Sequence, residues 1–158
     1  MNYEVFALEV SPVSESQQIE LQGDAAYFAP HISVLPRTVA NRRTVARLAE
    51  TLANAEISGS IVLMGPVDVS KNLRWFECLP EFKGFAELCR LHEDLLEIAR
   101  EDGAKVNEEY CNTNYRPHLT IASGVECAAG PCCARLEVSI IRAVRYCISR
   151  HDVTKFDV

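Results

Sequence analysis

The sequence of 158 residues has no apolar run near the ~20 residues that a membrane-spanning helix needs, no Asn-x-Ser/Thr sequon and no Cys-x-x-Cys pair. The first absence excludes a helical span. Without a Cys-x-x-Cys pair, Cys127, Cys132 and Cys133 lack the spacing of a zinc site, so no metal or other cofactor is expected. The seven cysteines are an odd number. With no sequon and no secretory lead they read as reduced thiols, small buried hydrophobes plus a loop cluster, in a cytoplasmic protein. The opening "MNYEVFALEV" carries Glu4 and Glu9 and no basic lead, and reads as a strand, not a signal peptide. Positive charge is also short: 16 Lys and Arg against 22 Asp and Glu leave a formal net charge of −6. A protein that grips long nucleic acid needs a basic face for the phosphates, so that role is excluded, while a short oligonucleotide in a local pocket is not.

What is present suits an ordinary globular chain. Hydrophobic residues make up 48% and charged residues 24%, and the length fits a single domain over 1–158, expected as a monomer. "YEVFALEV" alternates like a half-buried strand, "SPVSESQQIELQGD" is a polar loop, and "HISVL" is a short strand. Beyond Pro36, Val45, Leu48, Ala49, Leu52 and Ala55 fall on one helical face, with Thr38 or Asn41 as cap. "SGSIVLMGPVDVS" and "LRWFECLP" read as strands around a loop at Lys71 and Asn72. A second helix follows, with Phe85, Leu88, Leu95 and Ala99 inward and Gly103 as its stop. "NYRPHLTIAS" is a strand, and the C-terminal stretch supplies two more. This order is α+β, in two similar halves.

One phrase occurs twice. "YFAPHISVL" occupies residues 27–35 and "YRPHLTIA" residues 115–122, so that Pro, His, an aliphatic, a hydroxyl residue and another aliphatic recur 87 positions apart. In a strand alternate side chains share a face, which puts His31 with Ser33 and His118 with Thr120. Pro30 and Pro117 favour extended geometry before them and withhold a ladder donor, as suits a strand at a cleft. If the halves pack about a pseudo-twofold axis, the imidazoles face each other across a groove. Such a pair suits a phosphodiester: one ring takes the proton of the attacking oxygen and the other protonates the leaving oxygen, while the hydroxyls donate to the phosphate. A single His-x-Ser is commonplace, and it is the second copy that gives the first its weight. His92, within a helix, reads as a packed or edge histidine, and His151 as a solvated strand end.

By these two motifs the chain resembles the 2H phosphoesterases, named for their paired His-x-Ser/Thr, and the resemblance runs over nearly the whole sequence. It implies a two-lobed pseudo-twofold fold, each lobe an antiparallel sheet plus helix, with a central groove. It also implies metal-independent phosphodiester chemistry on RNA-like substrates, with His31 and His118 catalytic and Ser33 and Thr120 holding phosphate. "YEVFALEV" lacks the Arg that opens bacterial members of the 2',3'-cyclic phosphodiesterase and 2'-5' RNA ligase kind. The short, cysteine-rich chain is closer to compact viral and animal members that cleave 2',5'-linked oligoadenylate and so antagonise an antiviral RNA-decay signal. The expected partner is therefore a short 2',5'-linked oligonucleotide or a cyclic nucleotide. Alternation adds Arg116 as a second phosphate contact and Tyr27, four residues before His31, as a candidate to stack on a base; Tyr115 is a further candidate, although an aromatic there is more often core. Trp75 and Phe28 read as core. A nucleotide-binding module that recognises without cleaving stays open beside the enzymatic readings.

Overall fold

The computed structural model describes residues 2–57, 59–125, 134–150 and 152–158. Along the chain run β1 (Tyr3–Pro12), β2 (Gln22–Gly23), β3 (His31–Val39), α1 (Arg42–Ala53), β4 (Ser60–Ser70), β5 (Leu73–Glu77), α2 (Phe85–Glu101), β6 (Lys105–Val106), β7 (His118–Ser123), β8 (Ala134–Ile148) and β9 (Val153–Asp157). The class is α+β. Cys127, Cys132, Cys133 and His151 lie outside the described residues.

The strands join in the order β2-β7-β5-β4-β8-β1-β3-β6, with β9 on β8 and a further contact between β7 and β3. That contact is the pair Ile32↔Leu119. It closes a ring through β7, β5, β4, β8, β1 and β3, in which each neighbouring pair is antiparallel. Two-residue bridges such as β2 and β6 leave no periodic pattern in sequence, which is why only the longer strands are legible there.

The apolar stripes read from sequence bury as helix periodicity requires. Leu48 and Leu52 of α1 and Leu88, Leu95 and Ala99 of α2 are buried, with Val45, Ala49, Ala55 and Phe85 packed around them. Each fully buried Leu is worth roughly 1.5–3 kcal/mol. The helices pack on each other over one shared core. Asn41, not Thr38, is the cap of α1: its side chain accepts from the Thr44 N–H at 2.9 Å, whereas Thr38 is a buried residue of β3. Gly84 enters α2 at φ 94, and a Cβ there would stand 2.9 Å from Ile61 Cγ1, so both conformation and space demand glycine.

Strand β1 corrects the half-buried reading. Every residue from Val5 to Val10 is buried. Phe6, Leu8 and Val10 face the helices, while Val5 and Ala7 join Val144 and Tyr146 in a smaller cluster on the opposite face. Glu9, expected to face water, is 3% exposed. The strand is central, with β3 on one side and β8 on the other, so alternation of polarity here does not mean alternation of exposure.

The cap is open to direct measurement. Asn41→Ala removes the acceptor for both the Thr44 N–H and its hydroxyl. Urea unfolding should show a loss of about 1 kcal/mol with an unchanged m-value.

Candidate active site

The closing pair of the ring also builds the site. Counting outward from Ile32↔Leu119 in antiparallel register sets His31 opposite Thr120 and Ser33 opposite His118. All four side chains leave the sheet on the face away from Ile32 and Leu119, which are buried beneath the helices. The histidines stand on the diagonal of this square, where Cβ separations run about 7–8 Å.

Each ring is held in the same way. His31 Nδ1 donates to the Ala29 carbonyl at 2.9 Å, and His118 Nδ1 donates to the Arg116 carbonyl at 2.7 Å. In both cases the acceptor precedes a proline, Pro30 or Pro117, which keeps it extended and aims its carbonyl back at the ring. The proline carbonyls are pinned equivalently, by the Val10 N–H at 3.0 Å and the Cys78 N–H at 2.9 Å. With Nδ1 committed as donor, Nε2 is the atom each ring offers to a ligand. The proline of the repeated phrase therefore does more than extend the chain, because it fixes the tautomer of the histidine that follows it.

The walls differ. His118 stacks on Trp75 at 3.9 Å between centroids, whereas His31 packs against Phe28 and Tyr146 at 5.4 and 5.2 Å. Burial pushes both imidazoles below their ordinary value of 6.5, because an ion in a dry setting loses hydration. The hydrogen bond to Ala29 and the charge of Glu9 act in the opposite direction on His31. For His118 the Arg116 carbonyl and Glu77 raise the value, and His31 and the Arg116 guanidinium lower it. A cavity of about 320 Å³ opens beside His118, lined by Ser33, Thr120, Trp75, Arg37, Asn107 and Arg116 among others.

The other candidates separate. Arg116 lines the cavity, although it lies ahead of β7, and is ion-paired to Glu77 Oε1 at 2.7 Å. Tyr115 is not placed as a base platform: its ring stacks on His92 at 4.1 Å and its hydroxyl donates to the Ser33 carbonyl at 2.8 Å. It is a buried brace between β3 and β7. Tyr27 sits in a 3-10 turn, 78% exposed, because the strand that would carry it to the groove face begins only at His31. Trp75 is buried as expected, against His118. His92 is packed, as read: Nδ1 donates to the Val34 carbonyl at 2.7 Å and Nε2 accepts from the Asn112 N–H at 3.1 Å. Sequence reasoning missed Glu9, Glu77, Tyr146 and Arg37, which sit on segments with no shared motif. Among the described residues no group of three His, Cys, Asp or Glu is arranged around a common point, and no helix is long and apolar enough to cross a membrane. The described cysteines are free, and burial pushes Cys78 up to about 12, which makes it an inert thiol.

No protein-family model and no curated protein matches the sequence. Solved structures do match in fold. A crystal structure of a phosphoesterase superposes with a TM-score of 0.62 at 11% identity, over 99% of this chain and 95% of that one. LigT of E. coli, complexed with NADP+, gives 0.59 at 13% identity, over 99% and 94%. The same protein with 3'-AMP gives 0.56 at 11% identity, over 99% and 95%. The chain thus shares its fold with these structures.

The burial of the rings sets an acid limit on stability. Folded-state values for His31, His92 and His118 lie below 6.5, so below that pH the unfolded chain binds protons that the folded chain refuses. Stability is full above 6.5 and declines as pH falls through it. Thermal melts between about pH 7.5 and 5 should show Tm dropping toward acid, with a shallower slope in His31→Gln,His118→Gln.

Proposed function

We propose that the protein is a metal-independent phosphodiesterase that cleaves short 2',5'-linked oligoadenylates by acid–base catalysis between His31 and His118. The observation that carries this reading is the like treatment of the two rings: on adjacent strands, on one face, each has Nδ1 tied to the carbonyl before a proline. In a 2',5' linkage the neighbouring 3'-hydroxyl is the nucleophile. One neutral imidazole takes its proton as the oxygen bonds to phosphorus. The other, as imidazolium, gives a proton to the departing 5'-oxygen. The products are a 2',3'-cyclic phosphate and a free 5'-hydroxyl, and the proton lost by one ring is matched by that gained by the other. Ser33 and Thr120, each opposite a histidine, donate to the non-bridging oxygens as charge gathers there, and Arg116 meets a second phosphate.

A cavity of about 320 Å³ is of nucleotide size, at the low end for a small-molecule site. The structures of E. coli LigT hold small nucleotides, 3'-AMP and NADP+. This favours a second reading, hydrolysis of a 2',3'-cyclic phosphate or 2'-5' ligation, on the same histidines. In the first reading the protein would remove the oligoadenylate signal of an antiviral RNA-decay response from the cytoplasm.

One assay separates these. Incubated in EDTA with 2',5'- and 3',5'-linked adenylate trimers and a 2',3'-cyclic nucleotide, the protein should cleave the 2',5' trimer far faster than its isomer. Action confined to the cyclic nucleotide would promote the second reading, and binding without turnover would leave a recognition module. His31→Ala and His118→Ala should each lower turnover by about 10²–10⁴-fold, the usual worth of a general acid or base. The double variant should be little worse than either single one, because the pair acts as a unit.

A further inference from the structure

Each catalytic imidazole has a buried carboxylate directly across the sheet. Glu9 is the partner of His31 between β1 and β3, and Glu77 is the partner of His118 between β5 and β7. Residues directly opposite in an antiparallel pair share a face, so both carboxylates lie on the groove side. They are 3% and 8% exposed.

Each carboxylate also accepts a hydrogen bond from the aromatic wall of its histidine. The Tyr146 hydroxyl, whose ring lies 5.2 Å from His31, donates to Glu9 Oε1 at 3.2 Å. The Trp75 indole N–H, whose ring lies 3.9 Å from His118, donates to Glu77 Oε1 at 2.8 Å. Phenol and indole are unrelated donors, yet they meet the same acceptor at the same register position. A buried carboxylate is costly without partners, and the protein supplies them at the rim: Lys155 at 3.1 Å and Arg142 at 3.6 Å for Glu9, and Arg116 at 2.7 Å for Glu77.

We propose that Glu9 and Glu77 are a matched pair of positioning carboxylates, each bracing the aromatic wall behind one histidine and setting a negative charge beside the ring as it takes up a proton. The inference rests on His31 and His118 being the acid–base pair. Without the carboxylates, a desolvated ring would resist the imidazolium state that both roles require in turn. The charges around His31 are Glu9 from β1, with Arg142 from β8 and Lys155 from β9 paired to that carboxylate, and His118 from β7. Those facing His118 are Glu77 from β5, Arg116 ahead of β7 and His31 from β3. Among the described residues, the carboxylate is the one anion in each set.

Titration of the two histidines by NMR in the resting protein tests this without substrate. Glu9→Gln and Glu77→Gln keep an oxygen acceptor for Tyr146 and Trp75 and remove only the charge. Glu9→Gln should move the His31 midpoint to lower pH and leave His118 nearly in place, and Glu77→Gln should do the reverse. Lys155→Gln, at the exposed rim, should move His31 the opposite way, to higher pH, which a merely structural role would not do. In turnover, each Glu→Gln change should lower kcat about tenfold, one pKa unit of proton affinity, with KM little altered and one limb of the bell-shaped pH profile displaced. If His31 keeps its midpoint in both Glu9→Gln and Lys155→Gln, or if either glutamate change moves both rings equally, the pairing is wrong. Should Glu9→Gln fail to fold, Lys155→Gln and Glu77→Gln still decide it. Paired midpoint shifts in a protein that cleaves no phosphodiester would overturn the enzymatic reading and leave the pairing standing.

Discussion

A single backbone pairing, Ile32 with Leu119, organises the molecule. It is the only register pair between β3 and β7, and it closes the strands into a ring. The apolar side chains of that pair point into the helix-covered core at 0% exposure. Because a strand alternates, the residues on either side must point outward, and those residues are His31, Ser33, His118 and Thr120. The chemistry of the site follows from the burial of the pair: a one-residue slip would turn the imidazoles into the core and the aliphatics into the groove. The core thus sets the geometry of the groove to within a side chain's reach.

A polar network keeps the pair in place. The Tyr115 hydroxyl holds the carbonyl of Ser33, and His92 holds that of Val34 while accepting from the backbone of Asn112. Tyr115 and His92 stack, so the segment that leads into β7 is clamped to α2 and to β3 at once. No buried side-chain polar atom among the described residues lacks a partner. Satisfied buried polar groups of this kind fix one arrangement where apolar packing alone would tolerate several. The groove is therefore built on rigid elements.

Much of this was legible in the sequence. The repeated Pro-His-aliphatic-hydroxyl-aliphatic phrase marks four candidate residues and their shared face, and the stripes of α1 and α2 state which side is covered. Asn41 and Gly103 mark their helix boundaries by chemistry that any reader of sequence can apply. The supporting residues were not legible, for a physical reason. Glu9 lies 22 positions before His31, while Glu77 lies 41 before His118, and only strand pairing makes the two equivalent. Tyr146 and Trp75 share no residue type, and what unites them is a donor atom aimed at a carboxylate. Alternation extended beyond the strand carries Tyr27 toward the groove, whereas Tyr115, three residues before His118, shares the parity of Leu119 and goes with it into the core. Proline stops each strand short of its tyrosine, and the turns before it send one ring to water and the other into the core.

The long pairing of β1 with β8 bears on how the chain comes off the ribosome. Tyr3 finds its partner in Ile148 and Pro12 finds its partner in Val138, so β1 waits for a strand made more than a hundred residues later. At synthesis rates of about 5–20 residues per second, that delay is on the order of ten seconds. Throughout it one edge of an apolar strand, Val5 to Val10, has no β8 to pair with, and a bare apolar edge is a template for other chains. Nascent copies on neighbouring ribosomes would compete with β8 for that edge, so yield in a cell should depend on chaperone supply and translation density as much as on the stability of the finished fold.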